Sequence, residues 1–154
     1  MYTCKGHKLS FLSFRTEVRN LKVYSDGACR GNPGPSAIAF IILDHEGRIL
    51  KKHSEYVGIG TNNQAEYKAL ISALKAARDL GNELVCCLDS ELVVKQMNRE
   101  YKVSDHKMRT LWRQVVVLKE NFRKTSFVYA PRTDSYIKKV ARLANQELDK
   151  NPSL

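Results

Sequence analysis

Three acidic residues, Asp26, Glu66 and Asp89, stand where the hydrophobic pattern of the chain changes character. Asp26 closes the strand predicted by the alternating run 21–25. Glu66 falls in the first turn of a helix that opens behind Thr61-Asn62-Asn63, and Asp89 ends the apolar run 84–88. Carboxylates at strand ends and helix starts can converge from distant parts of a chain. Such oxygen ligands suit a hard cation such as magnesium, which keeps waters and substrate phosphate oxygens in its remaining positions. Two such ions can activate water and stabilise a leaving oxygen in phosphoryl chemistry. Capping and helix-dipole effects also put single acidic residues at these positions without any catalysis, so spacing alone leaves both explanations open.

The elements that must position these residues follow from the pattern. Runs at 21–25, 37–43 and 49–57, separated by the turn-rich segment 27–35 and by His45-Glu46-Gly47, predict three antiparallel strands in a meander. Tyr67, Leu70, Leu74 and Ala77 recur at helical spacing behind the capping side chains of 61–63 and run toward Gly81. The nearly continuous apolar run 84–88 predicts a strand buried on both faces, with a short helix over 90–97 behind it. Asp105 is placed to cap a helix carrying Leu111, Val115, Leu118 and Phe122 on one stripe. A fifth strand at 126–130 and a last helix over 135–150 complete the order β-β-β-α-β-α-α-β-α. This is one α/β unit, a five-stranded mixed sheet of three antiparallel strands and two parallel additions flanked by helices. Residues 1–20 show no sustained period and read as an N-terminal extension ahead of a domain spanning 21–150.

The chain has 154 residues, 43% of them hydrophobic, enough for one sizeable core. Lysine and arginine number 26 against 16 aspartates and glutamates, a formal charge of +10 that favours a polyanionic partner, nucleic acid first. Cys4, Cys29, Cys86 and Cys87 form no disulfide framework, which fits a reducing, cytoplasmic setting. Cys4 and His7 have a metal-like spacing but lack a second ligand pair, so zinc is set aside. No stretch has the length or composition of a membrane span or signal peptide.

Three segments carry a resemblance. Residues 24–34 (Tyr24-Ser25-Asp26-Gly27-Ala28-Cys29-Arg30-Gly31-Asn32-Pro33-Gly34), 61–66 (Thr61-Asn62-Asn63-Gln64-Ala65-Glu66) and 88–90 (Leu88-Asp89-Ser90) resemble, in order, the signatures of type-one ribonuclease H. The similarity extends over about 21–148. Lys95-Gln96-Met97-Asn98 with Tyr101-Lys102-Val103 resembles the compact, archaeal-like branch, which lacks a long basic protrusion. The resemblance implies the ribonuclease H-like fold and hydrolysis of the RNA strand of an RNA/DNA hybrid by a monomer, with 5′-phosphate and 3′-hydroxyl ends. It implies magnesium (Mg2+), or manganese (Mn2+), held by Asp26, Glu66 and Asp89, and double-stranded RNA as a further candidate substrate. Asn32, Asn62 and Asn63 match positions that in the family read ribose 2′-hydroxyls and base edges across the minor groove. Thr61 matches a phosphate-contacting position, and Arg132 resembles the arginine of the compact branch, which could contact phosphate or assist leaving-group departure, a solvated surface arginine being the alternative. Turn and cap chemistry accounts for Asn32 and Thr61 equally well. Lys51, Lys52, Lys102, Lys107, Lys138 and Lys139 would add a diffuse phosphate field.

One departure from the family pattern bears directly on catalysis. A fourth carboxylate is expected in the last helix, yet the aligned position in Val140-Ala141-Arg142-Leu143-Ala144-Asn145 is Ala141. Ala141 shares a stripe with Ile137, Val140, Ala144 and Leu148, which predicts that it packs inside rather than facing a site. Two replacements are open, as is a fourth position left unfilled. Asn145, the preferred one, offers a neutral amide oxygen; Asp134 precedes the helix and is also a good cap. The family's loop histidine is missing as well, since 130–134 reads Ala130-Pro131-Arg132-Thr133-Asp134.

Overall fold

A computed structural model describes residues 18–151. Cys4, His7 and nearly all of the expected N-terminal extension therefore lie outside the described residues. The strands are β1 (Asn20–Cys29), β2 (Gly34–Asp44), β3 (Ile49–Gly60), β4 (Glu83–Leu88) and β5 (Lys124–Tyr129). The helices are α1 (Asn62–Ala77), α2 (Glu91–Met97), α3 (His106–Lys119) and α4 (Ser135–Asp149). They fold into one sheet of order β3-β2-β1-β4-β5, in which β1–β2 and β2–β3 are antiparallel and β1–β4 and β4–β5 are parallel. The expected meander with two parallel additions is what forms.

Each sheet face is apolar because alternate residues of the central strands are apolar on both sides. Leu21, Val23, Phe40, Ile42, Leu84, Cys86, Leu88 and Phe127 meet the stripe Tyr67, Leu70, Leu74 and Ala77 of α1, with Val115 of α3 behind. Tyr24, Ala37, Ala39, Ile41, Leu43 and Cys87 on the other face meet Ile137, Val140, Ala144 and Leu148 of α4. Cys86 and Cys87 accordingly sit in opposite cores as free thiols. Tyr67 is fully buried, and its hydroxyl donates to Gln96 Oε1 at 2.7 Å, which ties α1 to α2.

Several boundaries move. β5 begins two residues before its expected start, and α1 ends at Ala77, with a turn closing toward Gly81. Phe122 is buried just beyond α3 rather than within it. Most consequential is β1: Asp26 does not close this strand, which runs on to Cys29 because its antiparallel pairing with β2 continues to Cys29–Ser36. The parallel pairing with β4 stops at Tyr24–Cys87. Asp26 therefore sits inside a strand, at the level where the sheet has just opened on one side.

Gly27 sets the distance between that strand and α1. A Cβ there would lie 2.3 Å from the carbonyl carbon of Ala65, with no flexible side chain to yield. Only a residue without a side chain lets the first turn of α1 press on β1 and carry Glu66 to Asp26. Gly27→Ala is expected to cost about 1–3 kcal/mol of stability through forced separation of α1 from β1. Urea denaturation checks the stability, and a metal titration of the folded variant should show weakened binding. An unchanged midpoint would mean that the contact gives way freely.

Candidate active site

Asp26 on β1, Glu66 in the second turn of α1 and Asp89 directly after β4 converge on one point. One carboxylate oxygen from each lies within 4.8 Å of the others. Their supports are local and strong. Thr61 caps α1 through a reciprocal box: its hydroxyl accepts from the Gln64 backbone N–H at 3.2 Å, and Gln64 Oε1 accepts from the Thr61 N–H at 3.0 Å. Ser90 caps α2 immediately behind Asp89 by accepting from the Val93 N–H. The Gly27 backbone N–H beside the Asp26 and Glu66 carboxyls favours their charged forms.

Burial pushes the Asp26 carboxyl up to about 6, and the nearby Asp89 charge adds to the rise, against a lowering hydrogen bond with Glu66. Glu66 is raised well above the carboxylate range, first by burial and then by Asp26 and Asp89. Like charges gathered out of water resist ionising together. Glu66 Oε2 is moreover buried without a hydrogen-bond partner. A divalent cation answers both features, supplying the positive charge the trio needs and a partner for the orphaned oxygen, so Asp26, Glu66 and Asp89 fit a hard-metal site.

The trio lies on a cleft of about 690 Å³, whose walls include Asn62, Asn63, Ser90 and Arg132 together with Lys138, Ala141, Arg142 and Asn145 from α4. Asn62 and Asn63 are exposed at the start of α1. Asn32 stands in the turn after β1, where Gly31 takes a φ of +96°, and its Oδ1 accepts from the Asn62 N–H at 3.0 Å. Thr61 is engaged as a cap and Asn32 as a brace. Arg132 is exposed, and its Nε lies 3.3 Å from Asp89 Oδ2.

The α4 wall corrects one expectation. Ala141 does not pack fully inside; it is partly exposed and lines the cleft, while Ile137, Val140, Ala144 and Leu148 form the buried stripe. The helix turns 100° per residue, so Ala141 falls at the margin of the apolar arc, which the one-sided stripe count overlooked. Asp134 is fixed elsewhere: its Oδ1 accepts from the Tyr136 and Ile137 N–H groups at 2.9 and 3.1 Å as the cap of α4. Asn145 does reach the cleft, and its Nδ2 donates to the Ala141 carbonyl at 2.9 Å. Arg142 was not foreseen at the cleft, and Lys138 only as part of a diffuse field. The spacing 138, 141, 142, 145 is itself a helical stripe and would have revealed both.

A mixed five-stranded sheet with carboxylates gathered where β1 and β4 part defines a ribonuclease H-fold protein. The chain matches the family model described as "Reverse transcriptase-like" over residues 24–146. It is 38% identical to ribonuclease HI of Halobacterium salinarum over 127 residues, 82% of this chain and 63% of that protein. The crystal structure of RNase H1 from the same archaeon superposes with a TM-score of 0.81 at 36% identity, covering 85% of this chain and 98% of that one. The N-terminal RNase H domain of rv2228c from Mycobacterium tuberculosis gives 0.82 at 32% identity, covering 87% and 96%. LC11-RNase H1, solved in complex with an RNA/DNA hybrid, gives 0.77 at 37% identity, covering 86% and 99%. The chain spans 63% of the halobacterial enzyme and 35% of the full-length mycobacterial protein. The chain belongs to the type-one ribonuclease H family.

Two outcomes follow from this geometry. Between about pH 4 and 6 the native Asp26–Glu66 pair holds more protons than the unfolded chain, so metal-free stability should fall as pH rises through that window and keep falling as Glu66 titrates. At pH 7.5 in EDTA, Asp26→Asn should therefore be more stable than wild type by on the order of 1–3 kcal/mol and should gain less stability than wild type from an added divalent cation; thermal melts with and without metal decide this. Ala141→Asp should tighten manganese binding on the order of tenfold in calorimetry and raise activity, because affinity follows ligand charge. Unchanged affinity would mean that a side chain at 141 does not reach the ion.

Proposed function

We propose that this chain is a metal-dependent endonuclease that hydrolyses the RNA strand of RNA/DNA hybrids, leaving 5′-phosphate and 3′-hydroxyl ends. The observation that carries the reading is the carboxylate trio, within 4.8 Å and with one buried oxygen unpartnered, on a cleft walled by Asn62 and Asn63. The LC11 enzyme solved with a hybrid supports the substrate class. Residues 21–150 are read as the catalytic domain and 1–20 as an extension. The free thiols Cys29, Cys86 and Cys87 suit the reducing cytoplasm. A monomer is the expected active form.

Asp26, Glu66 and Asp89 would hold magnesium, or manganese in its place. Such ions supply charge neutralisation at the phosphate and an activated water for in-line attack. The protein's own groups do the rest. Asn62 and Asn63 offer amides to ribose 2′-hydroxyls, which selects RNA over DNA on the strand to be cut. Asn32 fixes the Asn62 backbone from below, and the Thr61 box holds the turn that carries both asparagines. Arg132 steadies Asp89 and places a fixed cation where a phosphate oxygen arrives. Asn145 fills the fourth position with a neutral amide, a weaker ligand than a carboxylate.

Ala141 on the cleft wall favours a second reading, a module that grips hybrids and barely cuts them. Incubating a labelled hybrid with magnesium, beside DNA and RNA duplexes, separates the two. Cutting confined to the RNA of the hybrid is expected, reduced at least on the order of a hundredfold by Asp26→Asn or Asp89→Asn and blocked by a 2′-deoxy substitution at the cut site. Tight hybrid binding without products would establish the binding module instead, and cutting of RNA duplex would widen the substrate range.

A further inference from the structure

The position that lacks a carboxylate is flanked by cations. Along the cleft face of α4 the order is Lys138, Ala141, Arg142, Asn145, so a methyl group and an amide separate two positive side chains that share the cleft with Asp26, Glu66 and Asp89. The other cation that lines the cleft, Arg132, is paired with Asp89, and Arg30 and Lys150, outside the cleft, pair with Asp149 and Glu147 near the end of α4. Lys138 and Arg142 meet no carboxylate among the described residues, although the acidic trio lies across the cleft. They are therefore not acting as internal counterions. Both are exposed on a well-formed helix whose other side is locked into the core by Ile137, Val140, Ala144 and Leu148, which fixes where their stems leave the backbone.

We propose that Lys138 and Arg142 form a phosphate-binding subsite that holds the backbone of the strand being cut against the carboxylates, supplying from the protein part of the positive charge that a cation held by a fourth carboxylate would otherwise bring. The proposal rests on the reading of the chain as a hybrid nuclease. Arginine suits the task by presenting a planar fork to two phosphate oxygens, while lysine adds a mobile point charge one turn away. With alanine between them, nothing on this wall competes with an arriving phosphate for either cation.

The test measures affinity of the full chain for a short fluorescent RNA/DNA hybrid across a salt series, in EDTA and, in an Asp26→Asn background, with magnesium. Lys138→Gln/Arg142→Gln is compared with Lys119→Gln/Lys124→Gln, which removes the same charge at the far end of the molecule, where β5 begins. The cleft pair should weaken binding at least about tenfold at 0.1 M salt and flatten the slope of log affinity against log salt by about 1.5–2, as expected for two lost phosphate contacts. The distal pair should change affinity less than twofold. Lys138→Arg/Arg142→Lys should restore affinity, a recovery that a purely structural role in α4 would not require, and thermal melts confirm folding of each variant. Equal effects from the cleft and distal pairs overturn the subsite and leave the nuclease reading intact. Slope loss in the cleft variant, with a wild-type chain that binds the hybrid but does not cut it in magnesium, upholds the subsite and overturns hydrolysis. A wild-type chain that binds no hybrid in either condition overturns both.

Discussion

The structure turns on holding two carboxylates, Asp26 and Glu66, side by side out of water. Left to themselves such groups separate or stay protonated, since each desolvated charge opposes the other. Here they cannot separate. Asp26 is held by a strand paired to β2 on one side, and Glu66 by a helix whose first turn is boxed by Thr61 and Gln64 and whose Ala65 presses on Gly27. The apolar contacts of Tyr67, Leu70 and Leu74 with the sheet keep α1 in place against that repulsion. The core stores the cost of bringing like charges together, and a cation recovers it. Metal affinity and fold stability are thus two readings of one arrangement.

Much of this was legible in the chain. The stripe of α1, the doubly apolar β4 and the alternating strands of the meander are patterns in which burial alone decides the period, so the predicted elements formed with ends shifted by only a few residues. Asp89 was placed correctly, at the end of β4 beside a capped helix start, whereas Glu66 stands in the second turn of α1 rather than the expected first, because the helix already begins at Asn62. The course of β1 past Asp26 was not legible, since Gly27-Ala28-Cys29 has turn-like composition and is kept extended only by pairing with β2, a tertiary contact. Asp134 illustrates the reverse case. Its two bonds to backbone N–H groups are the local chemistry its position suggested, and they remove it from competition for a metal.

The error over Ala141 is instructive because it came from a correct periodicity applied too broadly. α4 does bury a stripe, but a helix lying on a sheet beside a cleft has three surfaces, buried, solvent-facing and cleft-facing. Composition separates the first from the other two and does not separate the second from the third. Lys138 reads only as part of a diffuse phosphate field, and Arg142 is not singled out, until the neighbouring strands supply the opposite wall. What identifies them is their place on the cleft wall without a carboxylate partner, where Arg132 of the same cleft is paired with Asp89.

Charge accounting across the cleft then links the missing ligand to its neighbours. Three carboxylates and an arriving phosphodiester bring up to four negative charges to one cavity, and a fourth carboxylate would make five. Replacing that carboxylate by alanine lowers the demand for bound cations, and two unpaired cations on the same helix lower it again. The two changes act in the same direction, toward a site that asks less of its metal and more of its own side chains. Loss of a ligand without added positive charge would simply weaken metal binding. Loss accompanied by Lys138 and Arg142 shifts part of the work of holding the phosphate from an exchangeable ion to groups that stay on the protein, at the cost of the fixed geometry that a coordinated ion imposes.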